Sequence, residues 1–430
     1  MKPDRNNFAP RVRLAYSVTP KTVVRSGFGV SYIHFNRLGG ENILSYNPPS
    51  IIAITITNPN PLNAPICAQD VAATSCFRPT MLGYTSNQLS LSNLNLANTQ
   101  LRYTPADTRT GYVMSWHFTI QRELANDLIL DLAYVGNRSV KVVILGDYNQ
   151  ARPQNPGENV ALNTRRPIPG FAAVEISWGG GFTAYNALQT KLEKRFSGGL
   201  YFLNSFTWSK VMDNAAGHLE VFNGDSSMVN YRDLKNDKGV GSYNQPFNNT
   251  STLVWDLPYG KGRKFGSSVN PFLTALLGGW RGTLINTMAS GLPVNLNYSP
   301  SSQFQVTNLT SYRPSLLGDP LAPLDQRTIG NYFNKANVVI PVDALHPNPF
   351  GNAGRNIVRA YAYYNTDLGL HKDFPLWKET RRLEFRAEFF NLFNKTNFQA
   401  PNSTRSASTF GTITSTFPWR MAQFALKFVF

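Results

Sequence analysis

The chain ends Ala422-Gln423-Phe424-Ala425-Leu426-Lys427-Phe428-Val429-Phe430. Counted back from the carboxylate, Phe430, Phe428, Leu426, Phe424 and Ala422 occupy every second position. In an extended chain successive side chains point to opposite faces, so these residues form one apolar row. This two-residue period, rather than one near 3.6, is the key to the rest of the sequence.

The same period recurs upstream. Tyr112, Met114, Trp116, Phe118 and Ile120 alternate with Val113, Ser115, His117, Thr119 and Gln121. Leu128, Leu130, Leu132 and Tyr134 share a row opposite Asp131 and Ala133, and Val12, Leu14, Tyr16 and Val18 alternate with Arg11, Arg13, Ala15 and Ser17. Near the C-terminus Leu383, Phe385, Ala387 and Phe389 face away from Arg382, Glu384, Arg386 and Glu388. On a helix that last apolar set would scatter around the axis; as a strand it forms one row.

About eleven such strands are expected, each roughly ten residues long, the length that crosses a bilayer at a tilt. They fall at residues 9–18, 22–34, 112–122, 127–137, 185–196, 200–211, 248–257, 280–289, 361–372, 381–393 and 419–430. Alternation is poorest in 280–289. Short connections at 19–21, 125–126, 197–199 and 375–379 alternate with long ones at 35–111, 138–184, 212–247 and 300–360. A middling connection, 258–279, stands where a short one belongs, with a small helix expected around 271–277.

Short turns on one side and long loops on the other are how outer-membrane barrels are built, whereas a soluble sandwich has no reason to separate them. The expected class is therefore all-β, an antiparallel transmembrane β-barrel with short periplasmic turns and long extracellular loops. In that context the row Phe424, Leu426, Phe428, Phe430 reads as the terminal signal recognised by the barrel-assembly machinery. The alternative is a terminal strand that happens to end in phenylalanine.

Composition agrees. The 430 residues include 41 Lys+Arg and 25 Asp+Glu, a net charge of +16, with 15% charged, 42% hydrophobic and 13% aromatic residues. Mean hydropathy is −0.26. No stretch approaches the ~18–20 apolar residues of a spanning helix, so a helical membrane protein is excluded. Few charges and many aromatics are unlike a coiled coil or an acidic disordered chain. An apolar row facing lipid and a polar row facing a lumen average to near neutrality.

Cys67 and Cys76 lie close together in a Pro/Asn/Ala-rich stretch. Outside the cytosol such a pair closes a small disulfide loop; two free thiols are the alternative. The spacing is wrong for a CxxC redox or zinc motif. The N-terminus, Met1-Lys2-Pro3-Asp4-Arg5-Asn6-Asn7, has no apolar run after its basic residue and does not read as a secretory signal.

Several segments are familiar. Asn7-Phe8-Ala9-Pro10-Arg11 with Tyr16, Val24-Arg25-Ser26-Gly27-Phe28-Gly29, and Tyr185-Asn186-Ala187-Leu188-Gln189 with Leu192-Glu193-Lys194-Arg195-Phe196 are three of them. Phe206-Thr207-Trp208-Ser209-Lys210, Gly279-Trp280, Ser290-Gly291-Leu292-Pro293 and Phe385-Arg386-Ala387-Glu388-Phe389-Phe390-Asn391-Leu392-Phe393-Asn394 are the others. In this order and spacing they resemble the C-terminal half of the Oar-like TonB-dependent receptors, a family whose members often carry an N-terminal carboxypeptidase-regulatory-like domain.

The resemblance implies a barrel of about 22 strands with a plugged lumen. Residues 1–430 would then be a partial barrel, a fragment without the plug domain, TonB box and signal peptide. It also implies a Gram-negative outer-membrane location. Ligand uptake in the full-length protein would be coupled to the TonB complex only through the missing N-terminal part. An odd strand count makes the first and last strands run the same way, so closure would need a parallel pair, which is rare. Two alternatives stand beside transport: a structural or adhesive outer-membrane protein, and a soluble secreted β binding protein.

No catalytic or metal constellation stands out: there is no GxSxG, HExxH, Walker A or paired CxxC, and no cofactor is expected. Gly27-Phe28-Gly29 lacks the third glycine of a dinucleotide fingerprint and sits inside a strand, where glycine eases curvature. The histidines, His34, His117, His218, His346 and His371, are scattered. Lys and Arg are spread rather than clustered, so nucleic acid is not an expected partner. Lipopolysaccharide phosphates, outer-membrane lipids and an unknown small ligand are. Trp116, Tyr134, Trp208, Trp255, Trp280 and Trp419 suit interfacial girdles. Trp178, Tyr231, Tyr312 and Phe350 in loops would either stack on a ligand or pin the loops together.

Overall fold

The computed structural model describes residues 2, 4–33, 47, 58–90, 101–215, 221–223, 225–226, 229–260, 263–266, 270–309, 312–376 and 381–430. Long strands follow one another as a meander: β1 Arg11–Thr19, β2 Thr22–Tyr32, β3 Tyr112–Ala125, β4 Leu128–Asp147, β5 Val174–Ser197 and β6 Leu200–Asp213. They continue with β7 Phe247–Asp256, β8 Trp280–Ala289, β9 Tyr363–Pro375, β10 Arg382–Phe390 and β11 Met421–Val429. Every strand pairs antiparallel with its sequence neighbour. A short strand, Leu101–Tyr103, runs parallel to the outer part of β5.

Register carries the apolar row from strand to strand. Tyr16 pairs with Val24, Val24 with Ile120, Ile120 with Leu132, and Leu132 with Thr190. Further along, Leu253 pairs with Leu284, Leu284 with Leu368, Leu368 with Phe389, and Ala387 with Phe424. Phe118, Leu132, Tyr134, Leu188 and Trp208 are exposed on this face. The opposite face holds small and polar side chains, among them Thr119, Ala133, Gln189, Thr207 and Thr250. It also carries ion pairs such as Lys191–Glu193 at 2.9 Å and Arg281–Asp256 at 2.6 Å. Those charges are solvated, so each pair contributes little.

Trp208 lies parallel to Phe247, with centroids 6.5 Å apart, at the long-loop end of the apolar face. At the other end a short helix, α1 Pro271–Leu277, precedes β8 and exposes Phe272, Leu273, Leu276 and Leu277. The Lys372 ammonium reaches from the apolar row to the carbonyls of Leu276 and Gly278 and lies 5.3 Å from the Trp280 ring centroid. A long basic side chain thus carries its charge out of the apolar band to the rim.

Two interior glycines have steric reasons. A Cβ at Gly136 would come within 2.2 Å of the Trp116 ring, and one at Gly27 within 2.6 Å of the His117 ring. Gly27 is therefore a seat for the neighbouring ring as well as a strand glycine.

The sheet is open among the described residues. β1 pairs only with β2 and β11 only with β10. Val12, Leu14 and Tyr16 on one edge and Phe424 and Leu426 on the other are each more than 60% exposed.

Two expectations need correction. The connection 138–184 is not a loop throughout: β4 and β5 run ten or so residues further and pair as far as Asp147 with Glu175. The sequence Val142-Val143-Ile144-Leu145 does not alternate because both faces of this extension are covered, and Val143, Ile144 and Leu145 are buried. The strand expected at 381–393 stops at Phe390. Asn391 takes a positive φ of 50° and its side chain closes onto Lys395 through two 2.9 Å hydrogen bonds. A further long connection, 391–420, follows it on the loop side. His34, His218 and the turn residues 377–380 lie outside the described residues.

Candidate functional site

The long connections at one end of the sheet pack into a cap with its own interior. Val294, Leu296, Tyr332, Phe333, Val338 and Val358 from 290–362 bury against Phe410 and Ile413 from 391–420. A second cluster joins Ala151 to Tyr298, Val306 and Tyr312. Burial pushes the Tyr332 phenol up to about 12, so it stays a neutral donor to the Arg359 carbonyl at 2.5 Å.

Buried charges fasten this cap to the strand ends. The Arg355 guanidinium, 3% exposed, donates to Asp225 at 2.6 Å and to Asp213 at the end of β6. The Asn356 amide and the Ser242 hydroxyl also donate to Asp225 Oδ2, at 2.9 and 2.6 Å. Arg313 donates to Asp237 at 2.7 Å and Arg166 to Asp147 at 3.0 Å. The Thr307 hydroxyl reaches the same Asp147 oxygen at 2.6 Å. Buried carboxylates persist only when their lone pairs are matched in this way.

Under the cap, where β7, β8 and β9 emerge, lies a cavity of about 540 Å³. Its floor is the polar row of the sheet: Asn248, Thr287, Ala289 and Tyr363. Its roof is Tyr361, Phe398, Gln399 and Phe417, with Gln245 and Asn223 at the side. Tyr361 and Phe398 meet at 5.6 Å between centroids, and Tyr363 and Phe417 at 5.2 Å. Gln245 donates to the Ser290 carbonyl at 3.3 Å and Asn248 to Gln245 Oε1 at 3.3 Å, which orients the amides along the wall. Among the described residues, no lining side chain carries a formal charge at neutral pH.

Of the segments singled out in sequence, Ser290-Gly291-Leu292 lines this cavity, and the other singled-out residues fall elsewhere. Phe424, Leu426 and Phe428 line the apolar row of the edge strand β11, with Phe430 just beyond it. Cys67 and Cys76 are joined by a disulfide in the 58–90 segment. Arg78 organises the same segment, its guanidinium donating to the carbonyls of Gln69, Val71, Leu82 and Gly83 at 2.8–2.9 Å. Trp178, Tyr231 and Tyr148 form one ring cluster and Tyr298, Tyr312 and Phe350 another, so these aromatics pin loops. His371 lies 3.3 Å from the Thr283 hydroxyl and His346 sits beside Asp343 in an exposed loop. The cavity itself escaped the sequence, because its rings come from separate connections and none stands in a motif.

A family model described as outer membrane beta barrel domain matches residues 1–423. No curated protein matches the chain in sequence. Solved structures similar to it include a variant of the ferric enterobactin receptor PfeA from Pseudomonas aeruginosa, at 12% identity and a TM-score of 0.47. The siderophore receptor PirA from Acinetobacter baumannii (10%, 0.46) and the outer membrane transporter YddB from Escherichia coli (10%, 0.44) are others. These alignments cover 94–98% of this chain but only 38–41% of the solved chains.

Proposed function

The chain belongs to the outer membrane β-barrel domain family, and on that premise we propose that it forms part of the wall and external mouth of a ligand-uptake receptor. The observation that carries this reading is the cavity at the loop end of the polar row, roofed by a packed cap. A lumen-facing recess under ordered loops is where a receptor holds its cargo before admitting it. The ordered motifs from Asn7 to Asn394 support the finer assignment to the TonB-dependent receptors and, within them, to the Oar-like type. In that reading the full-length protein adds a plug and a segment that contacts TonB, and energy from the inner membrane displaces the plug.

Deleting the gene in its native host tests the proposal. Loss of uptake of a labelled ferric siderophore, oligosaccharide or peptide is expected. Unchanged uptake of all three, in cells that no longer adhere to one another, would sink it in favour of adhesion.

The row Phe424, Leu426, Phe428, Phe430 is proposed as the assembly signal. Removing Phe430 is expected to lower the amount of folded, heat-modifiable barrel in the outer membrane several-fold. An unchanged amount would remove that role.

A further inference from the structure

We infer that the cavity beneath the cap takes a neutral oligosaccharide, an assignment that rests on the receptor reading and narrows it to one class of cargo. The chain carries 41 Lys+Arg, yet among the described residues no side chain lining this cavity is a lysine, arginine, histidine or carboxylate. A phosphate, a polycarboxylate or an anionic ferric chelate entering it would shed water with no charged side chain in the described lining to replace it, since the Arg359 guanidinium behind the wall is engaged by the Asn244 and Gly291 carbonyls.

Two ring pairs, Tyr361 with Phe398 and Tyr363 with Phe417, present apolar faces and edges. The C–H face of a pyranose packs on such rings as other apolar groups do. The amides of Gln245, Asn248 and Gln399 are held by internal hydrogen bonds, and their second N–H and remaining lone pairs suit sugar hydroxyls, which both donate and accept. The volume, about 540 Å³, lies within the range of small-ligand sites.

Capture of an extended peptide by strand addition needs a free sheet edge. Here β7, β8 and β9 are each paired on both sides. The floor of the cavity thus offers side chains, not an open row of backbone groups.

Isothermal titration of the full-length protein, purified folded in detergent, decides the matter, with maltohexaose and cellohexaose as neutral probes. Ferric citrate and hexagalacturonate serve as anionic probes. At least one neutral hexasaccharide is expected to bind and neither anion to do so. Phe417→Ala should weaken binding about tenfold by removing one ring of a pair. Thr287→Glu, which places a charge on the floor, should abolish it, with folding checked by heat-modifiable gel mobility. Binding of an anion in preference to both sugars overturns the inference, as does no sugar binding, or sugar binding that neither variant changes. Uptake lost on gene deletion would leave the receptor reading standing in each of those cases.

Discussion

Replacing Arg355 with methionine is expected to loosen the external cap at a cost of about 3–5 kcal/mol. The guanidinium is almost fully buried and faces two carboxylates, Asp213 on the strand end and Asp225 in the 214–246 connection. Removing it takes a buried guanidinium away from both acids, and the hydrogen bonds that Ser242 and Asn356 donate to Asp225 come from neutral groups. Hydrogen exchange in detergent is the measurement. Amides in 229–246 and 312–362 should lose protection by several orders of magnitude while those in β3 to β5 keep theirs. Arg152→Ala is the control: Arg152 pairs with Glu158 at 2.6 Å in an exposed position, where such a pair is worth about 0–1 kcal/mol. Equal loss in both variants, or none in Arg355→Met, would show that the cap is held by its apolar clusters alone.

Leu132→Arg is expected to destabilise the folded barrel by about 2–4 kcal/mol, whereas Ala133→Arg, one residue along, should be nearly neutral. Leu132 stands midway along the bilayer-crossing part of β4 on the exposed apolar face, between Ile120 and Thr190. Ala133 faces the polar row between Thr119 and Gln189, where a long basic side chain reaches water. Unfolding from lipid vesicles by guanidinium, read by tryptophan fluorescence, gives both values. If the two substitutions cost the same, the assignment of faces is wrong.

How far the sequence alone leads is clear from particular strands. In β3, alternation from Tyr112 to Gln121 is complete because one face meets lipid and the other a lumen, so its position was legible from its period. β8 was harder although its bounds, Trp280–Ala289, agree with expectation. Asn286 interrupts its apolar row, and the structure shows why: its amide donates to the Thr366 hydroxyl across the strand pair at 2.8 Å. Two strands away Asn204 donates to Asn249 and Ser251, both at 2.9 Å. Polar groups on an outward face are tolerated when they satisfy each other, and that pairing is invisible in a one-dimensional pattern.

The outer halves of β4 and β5 were illegible for the opposite reason. Loops cover both of their faces, so the period vanishes. The cap was illegible because its packing joins residues far apart in the chain, such as Phe333 with Phe410 at 5.1 Å and Arg355 with Asp213. The cavity inherits that difficulty. Its floor comes from three strands and its roof from two connections, and chain order does not bring them together.

The two unpaired edges of the sheet impose a parity rule. β1 leads into a short turn at Thr19 and β11 leads to the C-terminal residue, so both run from the loop side toward the periplasm. Whatever completes this sheet by antiparallel pairing must begin and end with strands running outward, and so must bring an odd number of them. A second copy of these strands, inserted with its loops on the same side, would meet each edge with a strand running the same way. The seams would then be parallel, a pairing rare in such barrels. Orientation therefore constrains closure before any side chain is consulted: antiparallel closure of this sheet would require a segment of opposite polarity at both seams.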